Sequence, residues 1–247
     1  MTNAIDKDVA ILEAVARQGG PHRLADLARW TGVTKPSVHR VLQEMAKIGY
    51  VAISEPGMYL AGPRLRELAY AVMSGDSRWS ETATVLTELC TMTGYTVHFA
   101  VGVGAEAVYV AKLDAGGPYG ISSRLGMRIS LHCTAIGKCI LAWMDAATLQ
   151  GVRDRATLER RTNNTLTNWD DLIVELDRVH TEGYAVDDEE NEENVRCVGA
   201  PVFARNGRAV GGVSSSGLTF QLAMADTPTL AVSVRSAAAK VSGLLGY

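Results

Sequence analysis

Ten consecutive residues, SLHCTAIGKC at positions 130–139, bring together a histidine, two cysteines, a threonine and a lysine. His132 and Cys133, with Cys197 further along, suit two chemistries. A thiol beside an imidazole makes a nucleophile pair, but such a pair needs a third group to orient the base, and none is identifiable. The same three side chains can ligate zinc, yet their spacing is irregular. The third reading is non-catalytic. Ile136, Cys139, Ile140 and Trp143 recur at helical spacing, so a helix starts near Thr134. Lys138 then points away from a buried Cys139. The backbone N–H groups of Ala135, Ile136 and Gly137 have no partner within that helix and favour an anion. On this reading the stretch cradles a small carboxylate.

A second stretch supplies a matching surface. Residues 197–216, CVGAPVFARNGRAVGGVSSS, contain Asn206-Gly207 between two apolar runs, a hairpin signal. A two-residue loop pairs Arg205 with Arg208. Counting back sets Gly199 opposite Ser214 and Cys197 opposite Ser216, all on one face. Small residues with hydroxyls and a thiol make a poor hydrophobic core and a good hydrogen-bonding pocket floor. Asp187 begins a run of six carboxylates that ends at Glu193. That run reads as a solvated loop, because regular ligand spacing and a central glycine for calcium are missing. His98 and His180 read as ordinary structural histidines.

These groups need elements to hold them. Val85, Leu86, Leu89 and Met92 mark a helix closed by Gly94. TVHFAVGVG alternates as a half-buried strand, with Val97, Phe99, Val101 and Val103 on one side, and AVYVAKL returns antiparallel. Asn168 caps a helix carrying Trp169, Leu172, Leu176 and Val179, stopped by Gly183. Thr227-Pro228 opens a last helix through Leu230, Val234, Val241 and Leu245. The mixture of helices and hairpins predicts an α+β domain.

The first residues differ in character. Residues 1–78 hold ten Lys/Arg against eight Asp/Glu, and the remainder fourteen against nineteen. Ile5, Val9, Leu12 and Ala16 mark a helix ended by Gly19-Gly20-Pro21. Leu24, Leu27, Ala28 and Thr31 mark a second, and Val38, Val41, Leu42 and Met45 a third, after the turn TGVT. A hairpin with a type II turn at Pro56-Gly57 follows. This is the order of a winged helix-turn-helix. Opposite its apolar stripe the third helix presents Pro36, Arg40, Gln43 and Lys47, flanked by Ser37 and His39, and Lys35 stands at its start. Those side chains suit phosphates and base edges. Leu65, Leu68, Ala69 and Val72 give a short linker helix ending at Gly75, whose apolar stripe suits a dimer contact.

The whole chain has 247 residues and a formal net charge of −3, which does not suggest a basic protein overall. Four cysteines without a pairing pattern fit a reducing compartment. The opening residues lack a signal-peptide core, and the longest uncharged runs are too polar for a bilayer span. A cytoplasmic protein with no membrane partner is expected.

LADLARWTGVTKPSVHRVLQEMAKIGYV, LHCTAIGKCILA and GYAVDDEENEENVRCVGAPVF…GGVSSSG together resemble the IclR family of bacterial transcriptional regulators, over nearly the full length. The resemblance implies an α+β protein. A winged-helix DNA-binding domain spans 1–62, a linker helix 63–78, and a GAF-like effector-binding domain with an antiparallel sheet 79–247. It implies a homodimer or homotetramer with operator DNA as partner; no catalytic residue, metal or cofactor is expected. Family effectors are commonly small organic or aromatic acids. Their contacts would fall on Ala135, Ile136, Asp187, Cys197, Ser214 and Ser216, with apolar walls at Ile121, Ile129 and Val195. The chain departs from the family pattern in three places. Ala135-Ile136 is bulkier than Gly-Ala, Asn194-Val195 stands where a glycine is common, and SSSGLTFQL lacks the usual proline and arginine. Two functions stay open: an effector-gated DNA-binding regulator, or an enzyme or zinc-binding sensor using His132, Cys133 and Cys197 with an accessory winged helix.

Overall fold

A computed structural model describes residues 4–16, 20–74, 77–116 and 120–246. Gly19, Gly75 and part of the expected linker lie outside them. The chain divides into two compact units, Met1–Ser77 and Arg78–Tyr247.

The first unit contains α1 (Ala4–Ala16), β1 (His22–Arg23), α2 (Leu24–Thr31), α3 (Lys35–Lys47), β2 (Val51–Glu55), β3 (Met58–Ala61) and α4 (Pro63–Ser74). The three strands form an antiparallel sheet in the order β1-β3-β2. Ile11, Ala14 and Val15 of α1 pack with Leu27, Val38, Leu42 and Tyr59. Ile5 and Val9, expected on that inner stripe, are 66% and 47% exposed. The 3.6-residue spacing was right, but a neighbouring stripe of α1 faces the core. Gly32 caps α2 with φ +66°. Gly57 has φ +79°, the value a type II turn demands at its third position.

From its first helix, which starts at the boundary residue Ser77, the second unit runs through α5 (Ser77–Thr93), β4 (Thr96–Val103), β5 (Glu106–Leu113), β6 (Arg128–Ser130), α6 (Ala135–Ala142), α7 (Ala146–Arg153), α8 (Trp169–Glu182), β7 (Ala185–Asp188), β8 (Val195–Phe203), β9 (Ala209–Leu218) and α9 (Thr227–Leu245). The helix expected around Val85 begins at Ser77, and its Met92 is exposed. Six strands form one antiparallel sheet, ordered β6-β5-β4-β9-β8-β7. Leu86 and Leu89 of α5 and Leu230, Val234 and Val241 of α9 cover one face through Val97, Phe99, Val198 and Val213. Ile136 and Ile140 of α6 and Leu172 and Leu176 of α8 cover the other. Because both faces are covered, β4 is buried on both sides from Thr96 to Ala100, and is not the half-buried strand its alternation predicts.

Two bulges set the cavity. The β8–β9 ladder pairs Gly199 with Ser214 and Cys197 with Ser216 as expected, but the Arg205–Arg208 pair is absent. The turn spans 204–208, with Ala204 N–H donating to the Arg208 carbonyl, and a shift between Val202 and Phe203 restores the register. In β4–β5, Phe99 pairs with Ala111 but Ala100 with Tyr109. Val110 is thus extra, and Tyr109 moves onto the face of His98.

Candidate effector cavity and nucleic-acid face

Thr134 caps α6 as its position predicts. Its Oγ1 accepts the Gly137 N–H at 3.1 Å and donates to the Ser130 carbonyl at 2.7 Å. Gly137 therefore leaves the expected anion cradle, and Ala135 and Ile136 supply its backbone donors. The sheet lets α6 come close because it carries glycine underneath. A Cβ on Gly199 would lie 2.9 Å from the Ala135 Cβ, and one on Gly212 3.1 Å from Ile136 Cγ2.

Lys138 points away from Cys139, yet not into water, being 1% exposed. Its ammonium donates to Glu190 Oε1 at 2.5 Å, the Val186 carbonyl at 2.5 Å and Glu175 Oε1 at 3.0 Å. Burial works against its charge, but the two carboxylates outweigh it and hold its pKa above the ordinary lysine value. The six-carboxylate run is thus not simply a solvated loop. Asp187 and Glu190 are buried, and Lys138 ties the run to α6 and α8. Thr162 and Thr165 brace it by donating to the Glu189 and Glu190 carbonyls at 2.6 Å each. Glu189 and Asn194 bend it with φ of +58° and +63°. At Asn194, asparagine is among the residues that best tolerate this conformation.

All nine expected effector positions come together around one cavity of about 40 Å³: Ala135, Ile136, Asp187, Cys197, Ser214, Ser216, Ile121, Ile129 and Val195. Asp187 lies opposite Cys197 in the ladder. Its Oδ1 accepts the N–H groups of Glu190 at 2.9 Å and Asn191 at 3.3 Å. Burial and the neighbouring Glu190 push its carboxyl up to about 7, against the opposing pull of Lys138 and the two N–H groups.

His98, read from sequence as an ordinary sheet histidine, and Tyr109 also border this cavity. His98 is 1% exposed, stacks on Tyr109 at 4.6 Å, and contacts Ser123 Oγ at 2.7 Å and Ser216 Oγ at 3.4 Å. Burial, then the charge of Lys112, lowers its pKa to about 4. The ring is therefore neutral, with one donor and one acceptor nitrogen. Lys112 donates to the carbonyls of Ile121 and Ser123, pinning the segment that carries Ile121 over the cavity. The period-2 pattern put His98 on this face, but only the covering layer distinguishes it from a surface residue.

The thiol and zinc readings do not fit the geometry. The His132 ring contacts the Glu159 carbonyl at 3.0 Å, and Cys133 reaches Asn191 at 3.8 Å. Burial pushes the Cys133 thiol up to about 12 and Cys197 well above its ordinary value, so both stay protonated near neutrality. Among the described residues no group of three His, Cys, Asp or Glu side chains is placed to hold a metal.

On α3, Lys35, Pro36, Ser37, His39, Arg40 and Lys47 are exposed and Gln43 is half-buried, while Val38, Val41 and Leu42 are buried. Lys47 pairs with Glu44 at 2.7 Å, and Gln43 Nε2 lies 3.5 Å from His39 Nε2. Glu55 is the only charged residue of the β2–β3 hairpin. The exposed Arg23, which no sequence pattern singles out, sits opposite Met58 beside that hairpin. Among the described residues no helix is long and apolar enough to cross a membrane.

Comparison with known proteins agrees with this architecture. Residues 4–52 match the IclR helix-turn-helix domain, and residues 77–243 match the bacterial transcriptional regulator IclR C-terminal domain. The chain is 30% identical to the HTH-type transcriptional regulator XynR of Escherichia coli K12, over 99% of this chain and 97% of that protein. It is 32% identical to the regulator KdgR of the same organism, over 91% of this chain and 86% of KdgR. The crystal structure of Thermotoga maritima IclR superposes with a TM-score of 0.74 at 30% identity, covering 100% of both chains. The helix-turn-helix unit, the two-sided antiparallel sheet and these likenesses place the chain in the IclR family of bacterial transcriptional regulators, DNA-binding proteins and not enzymes.

Proposed function

We propose that this chain is an effector-gated regulator that binds operator DNA and senses a small carboxylic acid in the cavity between α6 and the β7–β9 face. The observation that carries the reading is the convergence of Ala135 and Ile136, at the start of α6, with Ser214 and Ser216 around one small cavity with an apolar wall. About 40 Å³ is room for roughly three waters, which favours a short aliphatic acid over an aromatic one. Residues 1–62 bind DNA through Lys35, Pro36, Ser37, His39, Arg40, Gln43 and Lys47, and residues 63–78 link them to the effector domain, 79–247. The protein acts in the cytoplasm as a homodimer or homotetramer. Leu68 on α4 is 49% exposed, and a two-fold operator needs a two-fold protein.

The test is the double variant Ser214→Ala with Ser216→Ala. Loss of a hydroxyl that bonds a charged ligand removes roughly 1.5–3 kcal/mol, tenfold or more in affinity. The variant should still retard the DNA flanking its own gene in a gel, and no longer respond to an acid that releases or recruits the wild type. A variant that responds like the wild type places the effector elsewhere.

A further inference from the structure

We propose that the cavity takes a small monocarboxylate together with one proton, held on Asp187, and turns away ligands carrying a second negative charge. This rests on the effector reading above and adds the charge state of the ligand and of its receptor.

The cavity lining contains no lysine and no arginine among the described residues, while two carboxylates, Asp187 and Glu192, border it. The possible donors on its lining are all neutral, among them the first residues of α6, the serines of β9, Tyr109 and Asn191. Asp187 is 3% exposed, so water does little to soften its charge. The nearby cations, Lys138 and Lys112, do not line the cavity: the donors of Lys138 are committed to Glu190, Glu175 and the Val186 carbonyl, and those of Lys112 to the Ile121 and Ser123 carbonyls and Asp114. Two like charges sharing a buried site cannot both stay ionised, so the arriving carboxylate drives a proton from water onto the Asp187 carboxylate. The protonated carboxyl is then a further donor beside the ligand.

The other groups facing Asp187 do not take its place. His98 on β4, lowered by burial to about 4, is neutral throughout the accessible range. Tyr109 on β5 and Cys197 on β8 are pushed up by burial and by the charge of Asp187 itself, and Cys133 before α6 is raised to about 12. Lys138 on α6 is held charged. Glu190 and Glu192, on the same loop, are the carboxylates left to contend with, and an Asp187 variant separates them from Asp187.

The experiment is calorimetric titration of the full chain between pH 6 and 8.5, in two buffers of different ionisation heat. The probes are acetate, propionate, pyruvate and benzoate as monoanions, and malonate and succinate as dianions. With Asp187 half-titrated near 7, uptake should be small at pH 6 and approach one proton per monoanion at pH 8, with Kd rising up to about tenfold per pH unit above 7. Malonate should bind at least about tenfold more weakly than propionate, a difference of about 1.4 kcal/mol. Asp187→Asn keeps an oxygen for the two backbone N–H groups, and should bind propionate with no proton uptake and a flat pH profile. Monoanion binding without proton uptake, malonate binding as tight as propionate, or undiminished uptake in Asp187→Asn overturns the proposal. If no monoanion binds at any pH, the effector reading beneath it falls instead. Should Asp187→Asn not fold, carbon-13 NMR of the wild-type Asp187 carboxyl decides: its titration midpoint must rise when a binding monoanion is added, and an unmoved midpoint refutes the idea.

Discussion

A neutral histidine in a cavity makes a protein sensitive to acid. His98 is charged in the unfolded chain below the ordinary histidine pKa, yet resists protonation in the fold until about 4. Its contribution to stability is therefore present above about 6.5 and is lost as pH falls from there towards 4. A depression of that size corresponds to roughly 3 kcal/mol across the window. His98→Asn retains a polar group near Ser123 without a titrating ring. It should melt lower than the wild type at pH 7.5, and the gap should narrow as pH falls to 4.5, read by circular dichroism. Parallel curves for the two proteins would show that His98 does not carry the acid sensitivity. His98 also marks a limit on reading sites from sequence. Ala135, Ile136, Cys197, Ser214 and Ser216 were legible because a helix start and a hairpin register place them. The role of His98 was not, because alternation says which face a side chain takes and not whether another layer covers it.

At the scale of elements, the cavity depends on how closely α6 settles on the sheet. Gly199→Ala puts a methyl 2.9 Å from Ala135 Cβ and 3.1 Å from the Ile136 N, one of the two proposed anion donors. Overpacking of this kind costs about 1–3 kcal/mol, and relief here means lifting the start of α6 off β8. The variant should fold with a lowered melting temperature and bind acids at least about tenfold more weakly. Gly243→Ala is the control, since nothing lies within 4 Å of its added Cβ, and helix propensity alone should stabilise it by up to about 1 kcal/mol. Undiminished acid binding by Gly199→Ala would mean that the α6 donors are not used. Bulges explain why the elements were less legible than their order. Tyr109 reaches the cavity face only because Val110 is extra in β5, and the hairpin register survives an unexpected turn because a second shift compensates it. The bulge at Val110 has no glycine or proline to announce it, whereas the other borders Gly211. The carboxylate run misled for a related reason: its partner Lys138 lies 52 residues away from Glu190 in sequence, and only the fold brings them together.

For the whole molecule the question is how a chain of formal charge −3 holds a polyanion. The answer must be local, because the net charge repels DNA and counterion release depends only on the cations that reach phosphates. Lys35 and Arg40 are exposed at the start and middle of α3, whereas Lys47 already faces Glu44 at 2.7 Å. A bidentate base contact by Arg40 would make Arg40→Ala lose about 1–3 kcal/mol on the operator and much less on random duplex. A phosphate contact by Lys35 would make Lys35→Ala weaken both duplexes alike and flatten the plot of log affinity against log salt. The size of that flattening also reports assembly. Each lost phosphate contact removes about 0.9 from the slope, so one α3 on DNA gives about 0.9 and the two of a dimer about 1.8. Titrations of both duplexes across a salt series measure all three quantities. Equal losses for Arg40→Ala on operator and random DNA would deny α3 its reading role. A slope change near 0.9 for Lys35→Ala would mean that only one copy of α3 is engaged, against the two-fold arrangement proposed for this chain.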